Sequence, residues 1–166
     1  MDLEFTVFDD SGLLGLVDAA AYVPFVSESW TYEQLMNHFG VESAKGSILV
    51  WDCGDGGDAY RIRLKSGITR TLGFREATGD LVVTTNKIYL ASYTALTMAA
   101  QFSDYSIPDK RETDFVVHLP PGTYRTRIVQ MYDPQSSRAI TNGPHFLIEF
   151  GPGSGQRWSS VQWSVT

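Results

Sequence analysis

Residues 113–133 read TDFVVHLPPGTYRTRIVQMYD, and this stretch decides the fold class. An apolar, β-branched run leads into Pro-Pro-Gly at residues 120–122. After this turn, alternate positions hold two sets of side chains: Tyr124, Thr126, Ile128 and Gln130 on one side, and Arg125, Arg127, Val129 and Met131 on the other. Alternation with a period of two predicts strands, and Pro-Pro-Gly predicts a turn between them. The stretch is therefore a predicted strand–turn–strand unit that needs further strands to complete a sheet.

Short alternating segments elsewhere in the chain supply those strands. Two hairpins are predicted, one from residues 47–51 and 59–64 around the Gly-rich loop 52–58, the other from residues 81–84 and 87–92. Further strands are predicted at residues 3–8, 68–74, 145–150 and 158–165, while residues 13–26 fit either a helix or a strand. This pattern predicts an antiparallel two-sheet β-sandwich with one or two short helices, as a single domain over residues 1–166.

The clearest helix prediction covers residues 29–40. Thr31 and Gln34 have the spacing of a capping box, and Gly40 stands where helices commonly end. A second short helix is predicted from Tyr93 to about residue 100, where apolar side chains have helical spacing.

Composition excludes several classes of protein. With 43% hydrophobic and 19% charged residues among 166, the chain is expected to fold as a globular protein. Cys53 is the single cysteine, which excludes an internal disulfide and a cysteine-based zinc site. The first four residues lack the basic region of a secretory signal, and the longest apolar stretch, residues 19–26, is too short to cross a bilayer. We therefore expect a soluble, cytoplasmic protein.

Acidic residues are concentrated in the first part of the chain. Residues 1–60 contain eleven acidic side chains and one basic side chain, whereas residues 61–166 contain eight acidic and twelve basic ones. The first part is thus the source of the net charge of −6. A negative surface attracts a cationic partner and repels nucleic acid. The alternative is that these residues only solubilise loops, because neighbours in sequence need not share a surface.

Six arginines in the rest of the chain are predicted to occupy alternate strand positions: Arg61, Arg63, Arg70, Arg75, Arg125 and Arg127. They predict either a cationic sheet face for a phosphate backbone or the solvated side of a sheet, paired with carboxylates of neighbouring strands. The negative net charge favours the second interpretation.

No motif for catalysis or metal binding survives inspection. The histidines, His38, His118 and His145, are too scattered for a metal-ligand spacing. The loop 52–58 lacks the alternating oxygen ligands of an EF-hand calcium loop. We expect no metal, no other cofactor and no enzymatic activity. An enzyme that uses His118 with carboxylates brought near by folding stays an open alternative.

Several short blocks occur in an order that a known family shares. They read SWTYEQ (29–34), FG (39–40), GSILV (46–50), GGD (56–58), LPPGTYR (119–125) and FLIEF (146–150). In this order they resemble the competence protein J family over residues 5–150. The resemblance implies a small β-sandwich that inhibits a partner nuclease, and related proteins are immunity proteins of bacterial toxins. This chain differs in a longer, more apolar segment at residues 13–26 and in additional sequence after Phe150.

The resemblance and the charge asymmetry together indicate an immunity protein. We expect it to bind and neutralise a cognate bacterial toxin, a basic protein with a nuclease as the expected case, by occluding the active-site cleft. Contacts with nucleic acid or a membrane are not expected. The alternative is a non-enzymatic β-sandwich module that binds a ligand or calcium through its loops.

The residues expected to bind the partner form two sets. Loop 52–58 contributes Asp52, Asp55 and Asp58, and Glu28, Trp30 and Glu33 are expected beside them. Trp30 equally fits the hydrophobic core.

Overall fold

Strands make up most of the regular structure. A computed structural model describes residues 1–57, 59–136 and 142–164. Nine strands and two helices occur within these residues. The strands are β1 (Asp2–Phe8), β2 (Leu13–Val17), β3 (Ile48–Asp52), β4 (Ala59–Ser66), β5 (Arg75–Val83), β6 (Lys87–Ser92), β7 (Val116–His118), β8 (Gly122–Gln130) and β9 (Phe146–Pro152). The helices are α1 (Tyr32–Ala44) and α2 (Tyr93–Gln101). The prediction of a mainly β protein with two short helices is confirmed.

The strands form two sheets. A five-stranded sheet has the order β1-β4-β9-β8-β5, and a four-stranded sheet has the order β3-β2-β6-β7. The four-stranded sheet is antiparallel, but β4 and β9 of the other sheet run parallel, with Ile62 opposite Phe146. The prediction of wholly antiparallel sheets is therefore wrong. Parallel neighbours need a long connection, and here four strands and α2 lie between the two in sequence, so no local pattern announces the pairing.

The chain changes sheets between the strands that the sequence pairs as hairpins. β3 and β4 belong to different sheets, so residues 53–58 cross from one sheet to the other. β5 and β6 are also in different sheets, as are β7 and β8. Both predicted hairpins are therefore wrong, although the strands themselves are present. Turn residues set a change of direction, but they do not select the sheet that the next strand joins.

A hydrophobic cluster takes buried side chains from both sheets. Leu16 and Trp51 contribute from the four-stranded sheet, and Ile62 and Phe146 contribute from the five-stranded sheet. All four side chains are fully buried. Burial of this apolar surface holds the two sheets together.

A second cluster lies on the other face of the four-stranded sheet. Val50 of β3 packs there with Phe39 of α1 and Leu96 of α2. β2 therefore faces a hydrophobic cluster on both sides, and all five of its residues are buried. A strand buried on both faces loses the two-residue alternation, which explains the ambiguous pattern of residues 13–17. Residues 18–26, included in the same ambiguous segment, form neither a strand nor a helix.

Both predicted helices are present. The capping box of α1 is complete, because Gln34 donates its N–H to the Thr31 hydroxyl at 3.2 Å and accepts the N–H of Thr31 at 2.9 Å. The helix continues past Gly40 to Ala44, so Gly40 does not end it. Within the described ranges, neither helix is long and apolar enough to span a membrane.

A strand is predicted over residues 68–74, but residues 67–74 form no strand and instead lie against the five-stranded sheet, on the face opposite the larger cluster. The Thr69 hydroxyl donates to the Glu149 carboxylate at 2.6 Å, and Arg127 donates to the carbonyl of Thr71. Arg127 also forms an ion pair with Glu149 at 2.8 Å, and Glu149 is fully buried. Burial alone would raise the pKa of Glu149, but the hydrogen bonds from Thr69 and Arg127 lower it overall.

We predict that Arg127→Ala strongly destabilises the protein, because it leaves the Glu149 carboxylate buried without its counter-charge. The expected loss in the free energy of unfolding is roughly 3–5 kcal/mol, measured by denaturant titration at neutral pH. The matched control is Arg63→Ala, which removes an ion pair with Asp2 that is exposed on both sides. The control should leave the unfolding midpoint nearly unchanged. Equal losses in the two variants would contradict the role given to burial.

Candidate partner-binding surface

Of the residues predicted to bind the partner, Glu28, Trp30 and Glu33 lie at the start of α1. Glu28 and Glu33 are both exposed. Trp30, between them, is half-buried and packs against the second cluster, and no described residue accepts a hydrogen bond from its buried indole N–H. Trp30 therefore belongs to the packing of α1 against the second cluster, and the two carboxylates are the exposed charged groups of this set.

The second group lies where β3 ends and the chain crosses between sheets. The Asp52 carboxylate accepts a backbone N–H two residues further on, at 2.8 Å. Asp55 is held inward, because the hydroxyls of Tyr60 and Tyr132 donate to its Oδ1 at 2.7 Å and 3.1 Å. Burial raises the pKa of both tyrosines, so they stay neutral donors. Asp55 thus fastens the crossing loop. Asp58 lies outside the described residues.

Residues 159–164, which we term the C-terminal segment, connect the two groups. Asp52 donates its N–H to the carbonyl of Gln162 at 2.9 Å, and Gln162 donates its N–H to the carbonyl of Val50 at 3.0 Å. The segment therefore covers the edge of β3. Apart from an isolated bridge between Gln162 and Trp51, its described residues form no strand, so the predicted strand at residues 158–165 is wrong for them; Val165 lies outside the described range.

A groove of about 690 Å³ separates the C-terminal segment from α1. We term it the α1 groove, and it is lined by Tyr32, Glu33, Met36 and Asn37 of α1, by residues 159–161 and by Ser164. Further along α1, beyond the groove, the C-terminal segment contacts the helix at Gly40. A Cβ added there would lie only 2.4 Å from the Ser159 carbonyl oxygen. Gly40 therefore permits close packing, which is a different role from the helix stop that its sequence position suggested.

Only part of the acidic sequence reaches the surface. Asp9, Asp18 and Glu42 are buried, and each accepts backbone N–H groups from other parts of the chain. Burial raises the pKa of Asp9. Burial would also raise the pKa of Glu42, but Lys45, at 2.6 Å, and the N–H of Val23 lower it overall. For these three carboxylates neither sequence interpretation holds, because they stabilise the fold.

Two of the six arginines pair with carboxylates of adjacent strands. Arg63 pairs with Asp2 on the neighbouring strand, and Arg127 is buried against Glu149 on its neighbour. Pairing with carboxylates of adjacent strands is the interpretation that the sequence favoured. Arg70 lies in residues 67–74, outside any strand.

Arg75 instead supports the C-terminal segment. Its guanidinium donates to the carbonyl of Asp52 at 3.2 Å, and its central carbon lies 4.4 Å from the centroid of a Trp163 ring. A cation stacked at this distance adds a cation–π attraction. Arg75 thus joins the end of β3 to the segment that borders the α1 groove.

His118, His145 and Cys53 carry groups that can serve in catalysis or metal binding, and the structure describes the surroundings of each. His118 is exposed on β7, and the Nδ1 of His145 accepts the backbone N–H of Arg61 at 2.9 Å. Burial, followed by nearby Asp9, raises the pKa of the Cys53 thiol well above its usual value. Among residues 1–57, 59–136 and 142–164, no three His, Cys, Asp or Glu side chains converge to hold a metal ion.

Sequence reasoning did not find most of the α1 groove. Glu33 was among the predicted residues, but Tyr32, Asn37 and the serines of the C-terminal segment were not. The one local signal was Gly40, which was interpreted as a helix stop. That the segment packs beside α1 depends on contacts between residues far apart in sequence.

Two solved structures have folds similar to this arrangement of two sheets and two helices. One is described as "Crocagin biosynthetic gene J"; it matches with a TM-score of 0.56 and 14% identity over 91% of this chain and 95% of its own. The other is ComJ from Bacillus subtilis, described as the inhibitor of the DNA degrading activity of NucA. It matches with a TM-score of 0.51 and 15% identity over 89% of this chain and 93% of its own. At these identities the likeness shows the fold alone, and the ComJ-like fold implied by the sequence blocks is supported to that extent.

No protein-family model matches this chain, and no curated protein matches it significantly.

We predict that Gly40→Ala destabilises the protein and displaces the C-terminal segment. Alanine normally favours a helix over glycine by about 1 kcal/mol, but here the added Cβ would collide with the Ser159 carbonyl. The expected net loss is on the order of 1–3 kcal/mol, with faster amide exchange at Gln162. Gly143→Ala is the matched control, because nothing lies within 4 Å of its added Cβ. A stabilised Gly40→Ala variant would contradict the close contact.

We also predict that Asp55→Ala costs stability, because the buried hydroxyls of Tyr60 and Tyr132 both lose an acceptor. The expected loss is about 1–3 kcal/mol, measured by chemical unfolding. Asp52→Asn is the control, since its side-chain carbonyl still accepts the backbone N–H. If Asp55→Ala unfolds at the wild-type midpoint, Asp55 does not hold the crossing loop in place.

Proposed function

We propose that this chain is an inhibitor that binds a basic toxin protein, with a nuclease as the expected target, and occludes its active-site cleft. The observation that carries the proposal is the placement of the carboxylates that project from the surface. Glu28 and Glu33 are exposed at the start of α1, and Asp52 is hydrogen-bonded to the C-terminal segment that borders the same helix. The likeness to ComJ adds support at the level of fold.

Electrostatics explains why such a surface suits a nuclease. A nuclease needs cations to bind phosphates, and carboxylates that take the place of phosphates attract the same cations. Complementary charge of this kind speeds association and orients the two proteins. Aromatic side chains commonly supply affinity at the centre of an interface, and Tyr32, half exposed beside Glu33, is suited to that role.

The proposed inhibitor acts by occlusion and contributes no catalytic group. In this proposal it is a single β-sandwich domain that works in the cytoplasm of a bacterium, where a cognate toxin would otherwise act. Asp55 and Asp58, placed at the interface by the sequence reasoning, stay secondary contacts in the proposal. Asp55 already accepts two tyrosine hydroxyls.

The alternative, a module that binds calcium or another ligand through its loops, receives less support. The carboxylates of Asp52 and Asp55 in the crossing loop already accept hydrogen bonds from within the loop region. A calcium ion would have to displace these donors. Stabilisation of a dialysed sample by calcium, and not by magnesium, would favour this alternative over the inhibitor.

The proposal is tested by titrating the chain with the candidate nuclease encoded beside it while DNA degradation is followed, with NucA as a second probe. We expect tight, salt-sensitive binding that stops degradation. The double variant Glu28→Gln/Glu33→Gln should weaken binding at least about tenfold at low ionic strength and flatten its salt dependence.

The control double variant removes the same number of negative charges from β1, in the five-stranded sheet. Asp2→Asn/Glu4→Gln alters exposed carboxylates on β1 and should change affinity by less than about twofold. Equal effects of the two double variants would remove the start of α1 from the interface. If the chain binds a partner that does not degrade DNA, the proposal of an immunity protein stands but a nuclease is not its target. Absence of binding to both probes would overturn the proposal.

A further inference from the structure

The residues that line the α1 groove combine one carboxylate with several hydrogen-bond acceptors. Glu33 is the only charged residue among its described lining residues. No described cation lies within ion-pair distance of Glu33, so its carboxylate has hydrogen-bonding capacity to spare. Asn37 stands four residues later on the same face of α1 and adds an amide carbonyl oxygen.

The opposite wall adds further acceptors. Ser160 and Ser164 of the C-terminal segment bring hydroxyl groups to the groove. The Ser164 hydroxyl oxygen is buried and has no hydrogen-bond partner among the described residues. A buried hydroxyl without a partner is costly, and a donor that enters the groove would relieve the cost.

The lining of the α1 groove also includes apolar surfaces. Met36 and Val161 line the groove from opposite walls, and the Tyr32 ring, which is 50% exposed, stands beside Glu33. Such surfaces pack against the methylene stem of a long cationic side chain, and an aromatic face attracts its charged head.

We propose that the α1 groove binds an arginine side chain of the protein partner. A guanidinium group offers five N–H donors in a plane, and the groove offers a carboxylate, an amide oxygen and two hydroxyls to receive them. Lysine fits less well because its ammonium group is compact and strongly hydrated. The inference rests on the proposed function for the source of the arginine, but the chemistry of the groove is tested without the partner.

The test uses the full chain and a blocked tripeptide, acetyl-Gly-Arg-Gly-amide, followed by backbone amide NMR. We expect saturable shifts at Glu33, Asn37 and residues 159–164, with weak affinity because one side chain carries the binding. The lysine tripeptide should bind several-fold more weakly, and the uncharged citrulline tripeptide should produce no saturable shifts.

Glu33→Gln should weaken binding of the arginine tripeptide at least about tenfold, whereas Glu4→Gln, on β1 and away from the groove, should change it by less than about twofold. Both side chains are exposed, so neither change is expected to affect folding, and thermal unfolding checks this. Equal binding of the arginine and lysine tripeptides, equal effects of the two variants, or absence of saturable shifts in the groove would each overturn the inference.

The result is separable from that of the nuclease titration. Arginine binding in the groove without inhibition of either nuclease would keep this inference and remove the nuclease as target. If the chain inhibits a nuclease but its groove does not bind the arginine tripeptide, the proposed inhibitor function stands and the arginine site is wrong.

Discussion

The passage of the chain back and forth between two sheets is the constraint on which the rest of the structure depends. After β1 the chain places two strands in the four-stranded sheet, two in the five-stranded sheet, and so on to β9. The crossings join the two sheets, and the larger hydrophobic cluster takes buried side chains from both of them. The crossings also bend the backbone where its polar groups are partly removed from water, and such groups need partners.

Aspartates meet that need at two of the crossings: Asp9 accepts N–H groups at the turn from β1 to β2, and Asp18 accepts the N–H of Thr84 at the passage from β5 to β6. At a third crossing, from β3 to β4, Asp55 accepts the hydroxyls of two tyrosines instead. Part of the acidic character of the first sixty residues is thus a requirement of the topology. The carboxylates of Glu28 and Glu33 project from the surface, which is why our proposal places them at the interface with a basic partner.

The packing of α1 and of the C-terminal segment shapes the surface beside the four-stranded sheet. α1 packs on the four-stranded sheet through Phe39, and the absence of a side chain at Gly40 lets the C-terminal segment approach the helix. The segment in turn covers the edge of β3, and an exposed edge would otherwise invite pairing with another chain. The α1 groove is a product of these two contacts, so its shape depends on packing across the helix and on pairing along the strand.

The sequence by itself determined where most strands lie, where α1 begins and which residues cap it, because these depend on side-chain periodicity and on hydrogen bonds within a few residues. It also determined the excess of acidic side chains in the first sixty residues. The tertiary structure decided which sheet each strand joins, the parallel pairing of β4 with β9, the burial of Asp9, Asp18 and Glu42, and the packing of the C-terminal segment against Gly40. Each of these depends on contacts between residues distant in sequence, and the free energy of such contacts comes from burial and charge pairing that no local pattern records.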